Sequence, residues 1–495
     1  LHYWYEINKN HIYLTQQPSN IENVWYFHNK GGSYRKWYGN DEIVLHYDRV
    51  SLSEMESRPG FRHDGKDFFF KESATWGKTS TGNISVRYSD CSHTFNTAGC
   101  CLFTTSKDNT LYVMALLNSV VMKIILSFLC PSFSFAGGDI EKIPVIQKRS
   151  EDICLVADRC INDSKTDWDS FEMSWDFKEH PFSGYSKVLW DGTAVAAQID
   201  HYYGKIIPVS CPLELCFLLW QGECNERFSQ LKSNEEELNR IFIDIYGLQD
   251  ELTPEESDSD VTVRKADLKR DMQSFVSYAV GCMFGRYSLD YEGLAYAGGE
   301  WDESRYSTFK PDDDNVIPVL DDEWFSDDIV ARFKVFVRTV FGPESYDANL
   351  RYVEKALGKS LRDYFTKDFY SNHLKIYQKR PIYWMFSSLG GSFNALVYLH
   401  RYNKNTADVV LRYLRDYRTK IQAQIKVLKG NGDAQSVRDL IRYEKIDKDL
   451  DEYDQMLYSL ALKHVELDLD DGVKVNYGKF GRALYPVDGL NREKK

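Results

Sequence analysis

The chain has 495 residues, 43% of them hydrophobic and 27% charged, which excludes an intrinsically disordered protein and leaves room for about three domains. Its formal net charge of −13 excludes a surface that binds DNA over its whole area, because affinity for the phosphate backbone depends on clustered Lys and Arg. Counted by region the balance changes: residues 1–150 hold 16 Lys and Arg against 14 Asp and Glu, leaving 45 against 60 for the rest, so the acidity lies outside the first third.

Leu1 to Tyr47 alternates aromatic and polar residues around Gly31-Gly32 and Gly39-Asn40, a pattern of short strands and turns. Within it, His28 to Trp37 carries three cations, two aromatics and no acid. That composition suits phosphates and base edges, and equally a solvated surface loop. Lys71 to Arg87 reads as strand, turn, strand, with three cations, an aromatic and several hydroxyls on a glycine-punctuated loop. Leu111 to Leu129 predicts one apolar helix ending before Pro131, then a turn at Gly137-Gly138 and a short strand to Pro144 that re-enters the core. Lys123 in the middle of that helix would cost about 2.5 to 3.5 kcal/mol at the centre of a bilayer, so the helix is expected inside the protein. Ten cysteines with no CxxC pair and no secretory segment point to reduced thiols in a cytoplasmic protein, and the irregular spacing of Cys91, His93, Cys100 and Cys101 does not make a zinc site. The chain starts at Leu1 without an initiator Met, which is expected of a piece of something longer.

Glu151 to Trp190 is polar and rich in tryptophan, and a linker that packs its indoles is expected. Leu213 to Tyr246 predicts a helix with Leu238, Ile241, Phe242 and Ile245 on the core face and Glu235 to Glu237 on the exposed one, ending at Gly247. Asp267 to Tyr287 predicts another, with Gly281 and Gly285 spaced for close packing and Arg286 available to a phosphate or an acid. The acidic runs Asp312 to Asp314 and Asp321 to Glu323 read as solvated loops. Lys379 to Ser388 reads as a buried strand with a basic entry, and Gly390 to Arg401 as a glycine turn into an apolar segment; Lys379, Arg380, His400 and Arg401 are phosphate contacts or core-edge ion pairs. Apolar positions three or four apart, from Val410 to Leu428 and from Val437 to Leu460, flank a break at 429–433 and predict an antiparallel helical hairpin.

Several of these stretches carry a resemblance. Lys71 to Arg87, Asp167 to Phe177, Asn234 to Leu248, Val280 to Asp290, Lys379 to Arg401 and Asp470 to Phe480 together resemble the PglX family of BREX adenine-specific DNA methyltransferases and its type IIL relatives. The resemblance implies an α+β fold: a β-rich, TaqI-like target-recognition domain at 1–150, a helical linker domain at 151–300, and a mostly helical C-terminal domain at 301–495 containing the hairpin. It also implies the C-terminal, target-recognising portion of an enzyme that transfers a methyl group from S-adenosylmethionine to adenine N6, marking host DNA as self against phage. The partners it implies are double-stranded DNA, other BREX components and a phage inhibitor that mimics DNA, with no membrane. Local chemistry chooses the candidate DNA contacts: Lys30, Tyr34, Arg35, Lys36 and Trp37 in one loop, and Lys71, Thr75, Trp76, Lys78, Thr79, Ser80 and Arg87 in the other.

Catalytic equipment is not legible in this chain. An amino-methyltransferase of this kind needs an Asn/Asp-Pro-Pro-Tyr/Phe turn, and no Pro-Pro occurs; the nearest glycine-rich candidate, Phe135 to Asp139, follows a helix instead of a strand. We therefore expect no catalytic residue, metal or cofactor here, with S-adenosylmethionine bound by a missing N-terminal domain and this chain inactive alone. The alternative reading is a protein-interaction scaffold whose acidic C-terminal two-thirds docks other defence components or the phage inhibitor.

Overall fold

The computed structural model describes residues 1–491 except 19, 81, 190–191, 206 and 431–432, together with the backbone alone at 193. About half of the chain is helical and the strands form small sheets, a mixed α/β architecture compatible with the expected α+β class.

The first sheet orders four strands β1-β3-β2-β6: β1 (His2–Tyr3), β2 (Trp25–Asn29), β3 (Ile43–His46) and β6 (His93–Phe95). Its β2–β6 pair is parallel and the others are antiparallel. A second sheet places β4 (Ser73–Gly77) between β5 (Arg87–Ser89) and β7 (Gly99–Leu102), all antiparallel, with Thr75 opposite Arg87. Helix α1 (Arg49–Ser57) lies between the third and fourth strands in sequence.

The single helix expected over 111–129 is two, α2 (Lys107–Asn118) and α3 (Val120–Leu129), bent by 72°. Ser119 between them is extended and caps α3 by accepting from the Met122 N–H, while the Asn239 side chain accepts from Val120 N at 2.9 Å. These are the polar residues that favour helix N-caps over helix interiors. Among the described residues no single helix is long and apolar enough to cross a membrane, although this bent pair passes on length and composition together. The strand expected after Gly137 is instead a helical turn, α4 (Gly137–Ile140), followed by irregular chain that buries Ile140 and Ile143.

The tryptophan-rich segment opens as helix α5 (Ser150–Asp169), in which Trp168 is buried, and Trp175 beyond it packs edge-on against Trp4; Trp190 lies outside the described residues. Then come α6 (Pro181–Val188), α7 (Gly192–Tyr203) and the long α8 (Pro212–Tyr246), which ends where Gly247 turns left-handed at φ 68°. Glu235 is a correction: it faces the core of α8's surroundings at 4% exposure, because a lysine from the first sheet's loop meets it there. Helix α9 (Leu268–Met283) leads to Arg286, which is fully buried and bonded to the hydroxyls of Tyr287 and Tyr398, and so is not available to a phosphate.

The remaining helices are α10 (Ile329–Phe341), α11 (Tyr346–Leu357), α12 (Leu361–Tyr364), α13 (Tyr370–Ile376), α14 (Thr406–Leu428), α15 (Ala434–Ala461) and α16 (Gly472–Gly478). A third antiparallel sheet, β8 (Val316–Pro318), β10 (Asn394–Tyr398), β9 (Tyr383–Ser387), stands among them. Its two-residue period divides two cores: Tyr383, Met385, Leu396 and Tyr398 face one, Trp384, Phe386, Ala395 and Val397 the other. The first core also takes Trp4, Tyr5 and Phe27 and the start of α8, whereas the second takes α14, α15 and α16. A further core gathers Trp37, Trp76 and Val86 with α2, α3, α5 and the C-terminal half of α8.

Helices α14 and α15 lie along one another, bridged by Arg415–Asp454, Arg418–Asp447 and Lys429–Glu444. Residues 431–432 of the expected break lie outside the described residues. Asp449 on α15 receives the Ser388 hydroxyl and the backbone N–H groups of Gly390 and Ser392, holding the β9–β10 turn. Asp312 departs from the solvated reading: it is buried and accepts from Val316 N. His400 and Arg401 are also internal, the first near the Ile7 carbonyl at 3.0 Å and the second donating to Phe284 O and Asp312 O over the face of Trp301.

Candidate nucleic-acid interface

The two candidate segments meet. Gly31 packs against Gly77 so closely that a Cβ on Gly31 would lie 3.3 Å from the Gly77 Cα, and the Lys78 N–H donates to Ala98 O. Trp37 bridges to Arg87 in parallel, with Trp37 N donating to Val86 O and Tyr88 N to Trp37 O, each at 2.9 Å. Asn118 at the end of α2 holds the same strand from behind, accepting from Val86 N and donating to Val86 O. The loop beyond α3 closes the arrangement: Phe135 N donates to Lys78 O and Ser80 N to Phe133 O, while Trp76 Nε1 donates to Phe135 O. The stretch read as a support therefore backs the 78–80 loop by hydrogen bonds.

Half of the candidate side chains point inward. Lys36, 1% exposed, places its Nζ 2.7 Å from Glu235 Oε2 and 3.0 Å from Glu256 Oε1. Burial alone would lower the Lys36 pKa, but Glu235 and Glu256 outweigh it and hold the ammonium charged above the ordinary lysine range. Lys123 of α3 joins the same network through Glu256 at 2.8 Å and Asp260 at 3.0 Å. Trp37 sits left-handed at φ 73° and donates its Nε1–H to Glu235 Oε1. Arg35 bonds Asp167 Oδ2 at 2.7 Å and stacks its guanidinium over Trp168, and Gly39 is required beside it because a Cβ there would come within 2.9 Å of the indole. Arg264 also pairs with Asp167, at 3.0 Å from the same Oδ2. Arg87 is buried with its pKa pushed down to about 10 by desolvation, and donates to the Arg35 carbonyl.

These positions correct the chemical choice of contacts. Arg35, Lys36, Trp37, Thr75, Trp76 and Arg87 are buried and do not reach solvent: Arg35 ties this unit to α5, Lys36 and Trp37 tie it to α8, and Thr75, Trp76 and Arg87 bond to the carbonyls of Cys100, Phe135 and Arg35 within it. Tyr34 is half-buried, as is Ser80, whose hydroxyl donates to Asn83 O. Lys30, Lys71, Lys78 and Thr79 are exposed. The Gly31–Gly77 approach puts Lys30, Lys78 and Thr79 at one edge, whereas Lys71 stands at the opposite end of β4.

The acids that bind the cations were missed as functional partners. Glu235, Glu256 and Asp167 come from residues distant in sequence, and only Leu231 and Leu238, one helical turn to either side of Asn234 and Glu235 on α8, hint that this face is not solvated. Nearby, His93 lies between Asp90 at 3.0 Å and Asp41 at 3.3 Å. Burial lowers its pKa, but the hydrogen bonds that the ring donates to those two carboxylates outweigh it and raise it to about 9.

No family model matches the chain. It is 40% identical over 505 residues to the adenine-specific methyltransferase PglX of Lacticaseibacillus casei (strain Zhang), covering 96% of this chain and 40% of that protein. It is 34% identical over 515 residues to the adenine-specific methyltransferase BrxX of Escherichia coli O9:H4 (strain HS), covering 94% of this chain and 40% of that protein. The chain thus spans about two fifths of the length of these curated relatives.

Proposed function

We propose that this chain, which is PglX-like over nearly its whole length, is the DNA-recognising part of an adenine-specific methyltransferase of a BREX phage-defence system. The observation that carries the reading is the shared edge where the Gly31–Gly77 approach brings Lys30, Lys78 and Thr79 together in the less acidic first third of the chain. Lysines there would meet phosphates and Thr79 a base edge, with Lys71 making a separate phosphate contact. The buried clamp through Arg35 and Lys36 would keep that edge rigid, which base reading requires.

On this reading residues 1–150 are the TaqI-like target-recognition domain, 151–300 and 301–495 support it, and α14 with α15 form the antiparallel hairpin. Methyl transfer from S-adenosylmethionine to adenine N6, marking host DNA as self in the cytoplasm, would belong to the larger protein, since this chain carries no Pro-Pro turn. The excess of acid beyond residue 150 favours a second reading, a scaffold that docks other BREX components or a DNA-mimicking phage inhibitor.

A salt-titrated binding assay separates the two. The unaltered chain should bind duplex DNA with steep salt dependence, and the triple change Lys30→Glu, Lys71→Glu and Lys78→Glu should weaken binding and flatten the salt slope by about three phosphate contacts. Unchanged binding in the triple variant would remove this edge from the interface; no binding by the unaltered chain would favour the scaffold.

A further inference from the structure

The loop between α3 and α4 carries an aromatic in an unusual state. Phe133 has φ 53°, a left-handed conformation that a bulky side chain rarely adopts, and it is 44% exposed with no ring contact to another aromatic among the described residues. The conformation is enforced from both sides: Phe133 N donates to Cys130 O at 3.0 Å, and Phe133 O accepts from Ser80 N at 3.0 Å. The next residue, Ser134, forms an antiparallel bridge with Thr79, and Phe135 N donates to Lys78 O. Phe133 is therefore tied by backbone bonds to the same 78–80 loop that presents Lys78 and Thr79.

Hydrophobic burial ordinarily draws a Phe inward, and strain of this kind persists where the surroundings over-determine it, as they do at sites of function. A rigidly held, exposed aromatic tied by its backbone to a loop that presents an exposed lysine has the form of a wedge that enters a base step and unstacks it. The exposed cation on that loop favours DNA over an apolar protein partner, because an apolar dock covering the loop would have to desolvate Lys78 as well.

We infer that Phe133 inserts between stacked bases of the bound duplex, so that the 78–80 loop reads a base edge while the ring opens the neighbouring step. This inference rests on the DNA-recognition reading above. It makes Phe133 a positioning residue: it contributes shape to the DNA, whereas Lys30 and Lys78 contribute charge.

The test uses the 495-residue chain and a duplex it selects from a randomised pool, with 2-aminopurine substituted at each adenine in turn. Unstacking should raise the fluorescence at one or two positions when the unaltered chain binds. Phe133→Ala should abolish that rise while weakening affinity by about five- to 150-fold, Phe133→Trp should restore it, and Phe128→Ala, an exposed aromatic on α3, should leave it intact. Phe133→Ala bound to DNA with the rise undiminished overturns the wedge and leaves DNA recognition standing. No selected duplex at all overturns both. Equal effects of Phe128→Ala and Phe133→Ala on self-association, with base stacking unaltered, overturn the wedge in favour of an apolar protein interface.

Discussion

Two regions of the molecule use the same chemistry, Lys or Arg against Asp or Glu, to opposite effect. Around the first two sheets the pairs Lys36–Glu235, Lys36–Glu256 and Arg35–Asp167 are sealed from water. Across α14 and α15 the pairs Arg415–Asp454 and Arg418–Asp447 stand at the surface, with Arg415 51% exposed. Solvent screens the second group, and rotamer entropy offsets most of what attraction remains; in the first group a charge that loses its partner cannot turn to water instead. Cations abundant in a sequence thus form screened surface pairs in one setting and a buried joint in another.

The largest effect should come from breaking the sealed group. Lys36→Ala leaves Glu235 without a cation and Glu256 with Lys123 alone, and should cost about 3 to 5 kcal/mol in denaturant unfolding. Lys36→Ala with a loss below about 1 kcal/mol would mean that the network is solvated, and the contrast with the helical pair would collapse.

His93 offers a graded version of the same test. Its folded pKa, about 9, lies above the ordinary unfolded value of about 6.5, so the stabilisation from Asp41 and Asp90 is fully present below about pH 6.5 and is lost as pH rises through about 9. Thermal unfolding followed from pH 6 to pH 9.5 should show a falling midpoint that flattens in His93→Asn; an equal fall in both proteins would assign the dependence elsewhere. The smallest effect should be Arg415→Ala on α14, at most about 1 kcal/mol, measured in the same denaturant series. A larger loss would show that exposure alone does not separate the two groups.

Much of the architecture was legible because it depends on local period. The 3.6-residue pattern located α8, α9, α14 and α15, and Gly247 marked the end of α8 for the steric reason that only glycine enters the left-handed region freely. The first strand expected in 71–87 appears as β4, whereas its partner β5 begins only at Arg87, the last residue of that stretch. At Asn118-Ser119 local capping overrides the apolar period, and two polar residues end one helix and start another inside an apolar run.

The candidate site divides in the same way. Composition found both loops, and the structure brings them together at Gly31 and Gly77. Which of their cations face solvent was not readable, since Lys30 and Lys36 have the same chemistry and differ only in what α8 and the 254–264 segment place opposite them. Sequence alone determined the helices, the turns and the families of side chain available, because those follow from backbone sterics and periodicity within a few residues. Tertiary structure alone decided which charges are paired: the partners Glu235, Glu256 and Asp167 come from more than a hundred residues away, and burial sets the strength of each pair.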